Sequence, residues 1–142
     1  MKIYTASFFE PEVHGLGRKI SICSSKPKNL SEEQGYDCLI QHEWLSPEQI
    51  YWDYINAKKV AGKNEELAKK AGQDFVANYL KRLDEFKTDL EKQSEESGKS
   101  IFDLIGLEDG DTLLSWERGG KLTFRTHAAE FLRSLGYEVE ER

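Results

Sequence analysis

DTLLSWERGGKLTFRTHAAEFLRSLGYEVE, residues 111–140, decides the fold class. Asp111-Thr112-Leu113-Leu114-Ser115-Trp116 follows a turn-forming Glu108-Asp109-Gly110 and reads as a buried central strand. Glu117-Arg118-Gly119-Gly120-Lys121 reads as a loop. A helix follows from about Phe124 to Ser134, with Thr123 as its N-cap, and Gly136 ends it. Tyr137-Glu138-Val139-Glu140 then alternates as a last strand. Strand, glycine loop, helix and strand make a βαβ unit, which requires parallel strands.

Working outward, Lys2 to Phe9 is rich in β-branched and aromatic residues and predicts a first strand. The Pro- and Gly-containing loop 10–17 leads to a second, alternating strand from Arg18 to Cys23, with Ile20 and Ile22 on one side. Residues 24–43 carry a weak pattern, with at most a short strand at Asp37 to Ile40. Ser46-Pro47-Glu48-Gln49 has the form of a capping box and predicts a helix from Pro47 to about Lys59, burying Ile50, Tyr51, Tyr54 and Ile55. Leu67, Ala71, Phe75, Tyr79, Leu83, Phe86 and Leu90 recur every three or four residues among charged neighbours. They predict one long amphipathic helix over 64–94 whose stripe packs on the core or serves in a helical hairpin or a homodimer seam. Ile101 to Ile105 reads as a short helical turn stopped by Gly106. The expected architecture is a single α/β domain over 1–142, in two or three layers, with a mostly parallel sheet and one long amphipathic helix.

Composition narrows the partners. Twenty basic and 26 acidic residues give a net charge of −6, which argues against nucleic acid, whose binding needs a concentrated positive face. Cys23 and Cys38 are too few and too far apart for a disulfide scaffold or a CxxC motif, and Cys23 reads as a buried free thiol. The opening MKIYTASFFE is too short and polar for a signal peptide. No stretch approaches the roughly 18 apolar residues of a membrane span. The expectation is a cytoplasmic protein with no membrane contact. His14, His42 and His127 are widely spaced, without neighbouring Cys or acidic motifs, so no metal and no cofactor is expected.

One segment has the makings of a site. In open α/β sheets, ligands bind beyond the carboxyl ends of the strands, where loops meet helix starts. Trp116, Arg118, Gly119, Gly120, Thr123 and Arg125 occupy such a position: glycines for close backbone approach, a helix start favouring an anion, and a guanidinium fork for phosphate or carboxylate. Tyr4, Ser7 and His14, from the first strand and the loop after it, and Arg18 at the start of the second strand are expected on the opposite wall of the same pocket. The sharp nucleotide-loop signatures GxxxxGK[ST] and GxGxxG are absent.

These residues resemble the DUF488 family of small α/β proteins. Members open with a strand similar to Ile3 to Phe8 and continue to one like Lys19 to Ile22. They carry a Leu-Leu-Cys-x-Glu strand end, a Gly-containing loop, a Cys-His-Arg motif opening a helix, and an Ala-Glu-aromatic-Leu pattern. Here those stretches read Leu113 to Glu117, Gly119 to Leu122, Thr123-Phe124-Arg125 and Ala129 to Leu132. The resemblance covers about a third of the chain. It implies that Glu117 and Arg125 hold the family's acidic and arginine positions. Ser115, Thr123 and Phe124 replace its two cysteines and its histidine, which removes thiolate attack and Cys/His metal binding at those positions.

Three functions follow as expectations. The first is binding of a small anionic, nucleotide-like ligand. The second is a hydrolase acting on a phosphate or glycosidic bond, with Glu117 as acid/base and Arg125 stabilising charge. The third is a protein-interaction module, or homodimer, built on the long helix.

Overall fold

Thr112, Leu113, Leu114 and Ser115 are all buried, and they form the middle strand of a five-stranded sheet. The computed structural model describes residues 1–9, 17–23, 40–115 and 124–142. In chain order its elements are β1 (Lys2–Ser7), β2 (Lys19–Ser21), β3 (Ile40–Gln41), α1 (Gln49–Ala61), α2 (Glu65–Ser97), α3 (Ile101–Ile105), β4 (Thr112–Ser115), α4 (Phe124–Ser134) and β5 (Glu138–Glu141). The sheet order is β3-β2-β4-β1-β5 and every ladder is parallel. The α/β class, the parallel sheet and the single long helix expected from the sequence are all present. Strands so placed lose contact with water on both faces, which is why β4 reads as a run of buried residues and not as an alternation.

The unit β4-α4-β5 has the expected order, with one refinement. Its strands are not neighbours, because β1 lies between them and pairs with both. Tyr4 therefore stands opposite Thr112 on one side and Glu140 on the other. The second strand is shorter than expected: β2 keeps only Lys19–Ser21, although Ile22 still donates its N–H to the Leu114 carbonyl at 3.0 Å. Of the weakly patterned stretch before Trp44, only Ile40 to Glu43 falls within the described residues.

The helix α2 has 33 residues, about 50 Å at 1.5 Å per residue, and overhangs a sheet whose strands are much shorter. Asn64 caps it, accepting the Leu67 N–H at 3.1 Å, Glu65 and Glu66 complement the positive end of its dipole, and Gly98 closes it in the left-handed conformation. Ala71, Phe75, Tyr79, Leu83, Phe86 and Leu90 are buried. From Phe75 onward they join Ile3, Ile20 and Leu113 of the sheet in one core. The apolar stripe is thus packed inside the molecule. Leu67 departs from the expected stripe: it is 47% exposed, one turn before Ala71, the first buried residue of the helix.

The capping-box reading of α1 also needs correction. The helix begins at Gln49, not Pro47, because Glu48 takes a left-handed φ of 48° and interrupts the turn. The Ser46 hydroxyl accepts the Glu48 N–H at 3.4 Å instead of a helical amide. Ile50, Tyr51 and Tyr54 pack against the core while staying half-exposed. Side chains of α2 fasten the turn ahead of α1. Arg82 donates to the carbonyls of Glu43, Trp44 and Ser46 at 2.7, 3.2 and 2.8 Å, and Tyr79 donates its hydroxyl to the Leu45 carbonyl. Trp44 stacks on Phe86 with a ring separation of 5.3 Å.

Candidate functional site at the carboxyl edge of the sheet

β1 and β4 end side by side at Ser7 and Ser115, which are register partners. The Phe8 N–H donates to the Ser115 carbonyl at 2.9 Å and carries the ladder one step past the strand ends. Neighbouring residues of a parallel ladder point to the same face, so the two hydroxyls stand on one side of the sheet. Both residues are fully buried. Ser7 accepts the Phe9 N–H at 3.2 Å, a local turn that bends the chain away from the sheet.

The helix α4 starts above this point. Phe124 is buried edge-on against Tyr79, with ring centroids 5.4 Å apart, and also meets Phe75. That aromatic anchor fixes the first turn. The next residue, Arg125, is only 5% exposed and donates from Nη1 to Ser115 Oγ at 3.0 Å. A guanidinium, a helix start and two strand-end hydroxyls therefore share the carboxyl edge of a parallel sheet. Sequence reasoning places Ser115 at the start of the site segment but assigns it no role of its own. Its signal is its place as the last residue of the buried strand, four residues before Gly119-Gly120 in the sequence.

The other expected site residues divide into two groups. Tyr4 and Arg18 are not brought to this edge. Tyr4 lies three residues before Ser7 in the same strand, an odd spacing that turns it to the opposite face. There its ring lies under the Arg142 guanidinium at 3.8 Å and near Lys2 Nζ at 5.3 Å. Arg18 sits at the amino ends of β2 and β4, clamped to Asp111 and to the Gly106 carbonyl at 3.0 Å. His14, Trp116, Glu117, Arg118, Gly119, Gly120 and Thr123 lie outside the described residues.

Cys23 is buried, its Sγ 3.9 Å from the Leu114 carbonyl, as its apolar setting in the sequence implied. His42 is committed to structure: its Nδ1 accepts the Leu45 N–H at 3.3 Å, so its Nε2 carries the proton and donates to the Ile105 carbonyl at 3.1 Å. Burial holds its pKa below the ordinary histidine value. Among the described residues no three His, Cys, Asp or Glu side chains are grouped as a metal site. No helix among them is long and apolar enough to cross a membrane. Comparison of the chain with protein-family models, with curated proteins and with solved structures returned no match to any of them.

Proposed function

We propose that the chain binds a small anionic, nucleotide-like ligand at the carboxyl edge of its sheet, with Arg125 as the central residue. The observation that carries this reading is the Arg125 side chain itself. It is almost wholly enclosed, sits in the first turn of α4, and rests on Ser115 where β1 and β4 end. Enclosure strengthens the attraction of a guanidinium for phosphate or carboxylate, because less water competes for its fork. The start of an 11-residue helix adds its dipole in the same sense. Parallel α/β sheets place ligands at this edge. The resemblance to the DUF488 family, if it reflects kinship, would make Arg125 the arginine of its C-terminal motif.

The experiment is a calorimetric titration of the protein with inorganic phosphate and with nucleoside monophosphates. Saturable binding is expected, weakened at least tenfold by Arg125→Lys, which keeps the charge and loses the fork. Absence of saturable binding, or unaltered affinity in a folded Arg125→Lys variant, would remove the reading.

A further inference from the structure

The helix α2 has a second face, and its chemistry is matched to itself. Val76 and Leu80 each follow a core residue, Phe75 and Tyr79, and so stand about 100° round the helix from the core. Leu80 is 46% exposed and Val76 half-buried. A groove of about 580 Å³ runs from Tyr54 of α1 along Gly72, Val76 and Leu80. A second, of about 520 Å³, runs from Leu80 and Asp84 to Glu130 and Phe131 of α4. Leu80 lines both, so the two grooves form one trough along the helix.

We propose that this trough is a homodimer surface in which α2 of one copy lies antiparallel on α2 of a second, about a two-fold axis between Val76 and Ala77. The argument is charge order. Along this face, at spacings of three and four, come Glu66, Lys69, Gln73, the apolar centre of Val76, Ala77 and Leu80, then Asp84 and Lys87. Reversing the helix about that axis sets Lys69 of one copy against Asp84 of the other, and Glu66 against Lys87. Each pair occurs twice by symmetry. Val76 then meets Ala77, a small residue that permits close approach, and Gln73 meets Leu80. Sliding one helix by three residues, about one turn, lays Lys69 on Lys87 in one direction and Asp84 on Glu66 in the other. The pattern therefore selects one register by repulsion as well as by attraction. None of these four charged residues forms an ion pair within the chain among the described residues. The surface is distinct from the core stripe of the same helix, and it does not depend on the anion reading.

Sedimentation velocity of the full chain, followed from about 1 µM to about 1 mM, tests the surface, with a monomer–dimer equilibrium in the micromolar range expected. Leu80→Glu should shift it to monomer, at least tenfold weaker, while circular dichroism shows the fold retained. Lys69→Glu and Asp84→Lys should each weaken the dimer, and the chain carrying both should recover it, since both pairs are then reversed together. A monomer throughout the range overturns the proposal. So does a dimer indifferent to Leu80→Glu, or a doubly reversed chain no tighter than the single variants.

Discussion

Arg18 and Asp111 form a two-bond ion pair, Nε to Oδ1 at 2.9 Å and Nη2 to Oδ2 at 2.7 Å, across 93 residues of chain. The pair ties the entry of β2 to that of β4, at the opposite end of the strands from Arg125 and Ser115. Asp111 is 1% exposed and accepts the Glu108 N–H at 2.7 Å as well. Replacing Asp111 by Ala would strip both fork bonds from Arg18, which keeps the Gly106 carbonyl and the Glu108 carboxylate at 3.4 Å, and would leave the Glu108 N–H without its acceptor. A loss of about 3 kcal/mol is expected, read from urea denaturation midpoints. Arg18→Lys keeps the charge and one contact, and should cost about 1 kcal/mol. Equal losses in the two variants would show that the fork geometry carries the whole effect.

Ser115 gives Arg125 an acceptor that neither alanine nor valine can supply. Ser115→Ala should therefore lower stability by about 1–2 kcal/mol, since it withdraws one hydrogen bond from an enclosed, charged donor. Ser115→Thr keeps the hydroxyl but adds a methyl group where no exposed surface remains. It should cost a comparable amount through overpacking, not through the lost bond. Thermal unfolding of the two variants at several phosphate concentrations separates their effects. The Ala variant should gain less from phosphate than the Thr variant.

The elements most legible in the sequence are those whose cause is local. The spacing of Phe75, Tyr79, Leu83, Phe86 and Leu90 needs only helix geometry to reveal a buried stripe, and Gly98 and Gly106 end their helices by their own backbone freedom. Phe124 to Ser134 emerged with the expected limits for the same reason. The capping box failed because Glu48 adopts an uncommon backbone conformation that residue types do not encode. At the candidate site, Arg125 was recognisable from its place at a helix start. Its bond to Ser115 was not, because it depends on α4 crossing back over the end of the sheet. Tyr4 is a different case: its odd spacing from Ser7 already assigned the two residues to opposite faces. Arg18 was misplaced for want of its partner, since nothing near it in the chain announces Asp111.

Tyr137 is 4% exposed, and its hydroxyl has no hydrogen-bond partner among the described residues. Its ring is well used, edge-on to Phe102 with centroids 4.9 Å apart. Burial, with the nearby Asp111 carboxylate, pushes its pKa up to about 12. Removing the hydroxyl relieves an unmet desolvation cost and leaves the ring contact intact. Tyr137→Phe is therefore expected to be neutral or stabilising by about 1 kcal/mol, the reverse of most core substitutions. A loss of stability on chemical denaturation would show that the hydroxyl has a partner, such as an ordered water.

His42 couples stability to acidity. Its ring lies edge-on to Phe86 at 5.9 Å, donates from Nε2 to the Ile105 carbonyl, and accepts at Nδ1 from Leu45. A second proton would have to enter at Nδ1, where an N–H already points, so protonation would cost a hydrogen bond as well as burying a charge. Glu43 and the Ile105 carbonyl favour the charged form, but burial outweighs them and holds the folded-state pKa below 6.5. The unfolded chain therefore takes up a proton that the folded one refuses. The stabilisation is complete above the unfolded value and declines as the pH falls through it towards the folded value. Urea midpoints measured from about pH 7.5 down to about pH 5 should fall for the native chain, and the fall should be shallower for His42→Gln, which cannot titrate. The variant should be less stable than the native chain at the upper pH and approach it at the lower. Parallel curves would assign the acid sensitivity to other groups.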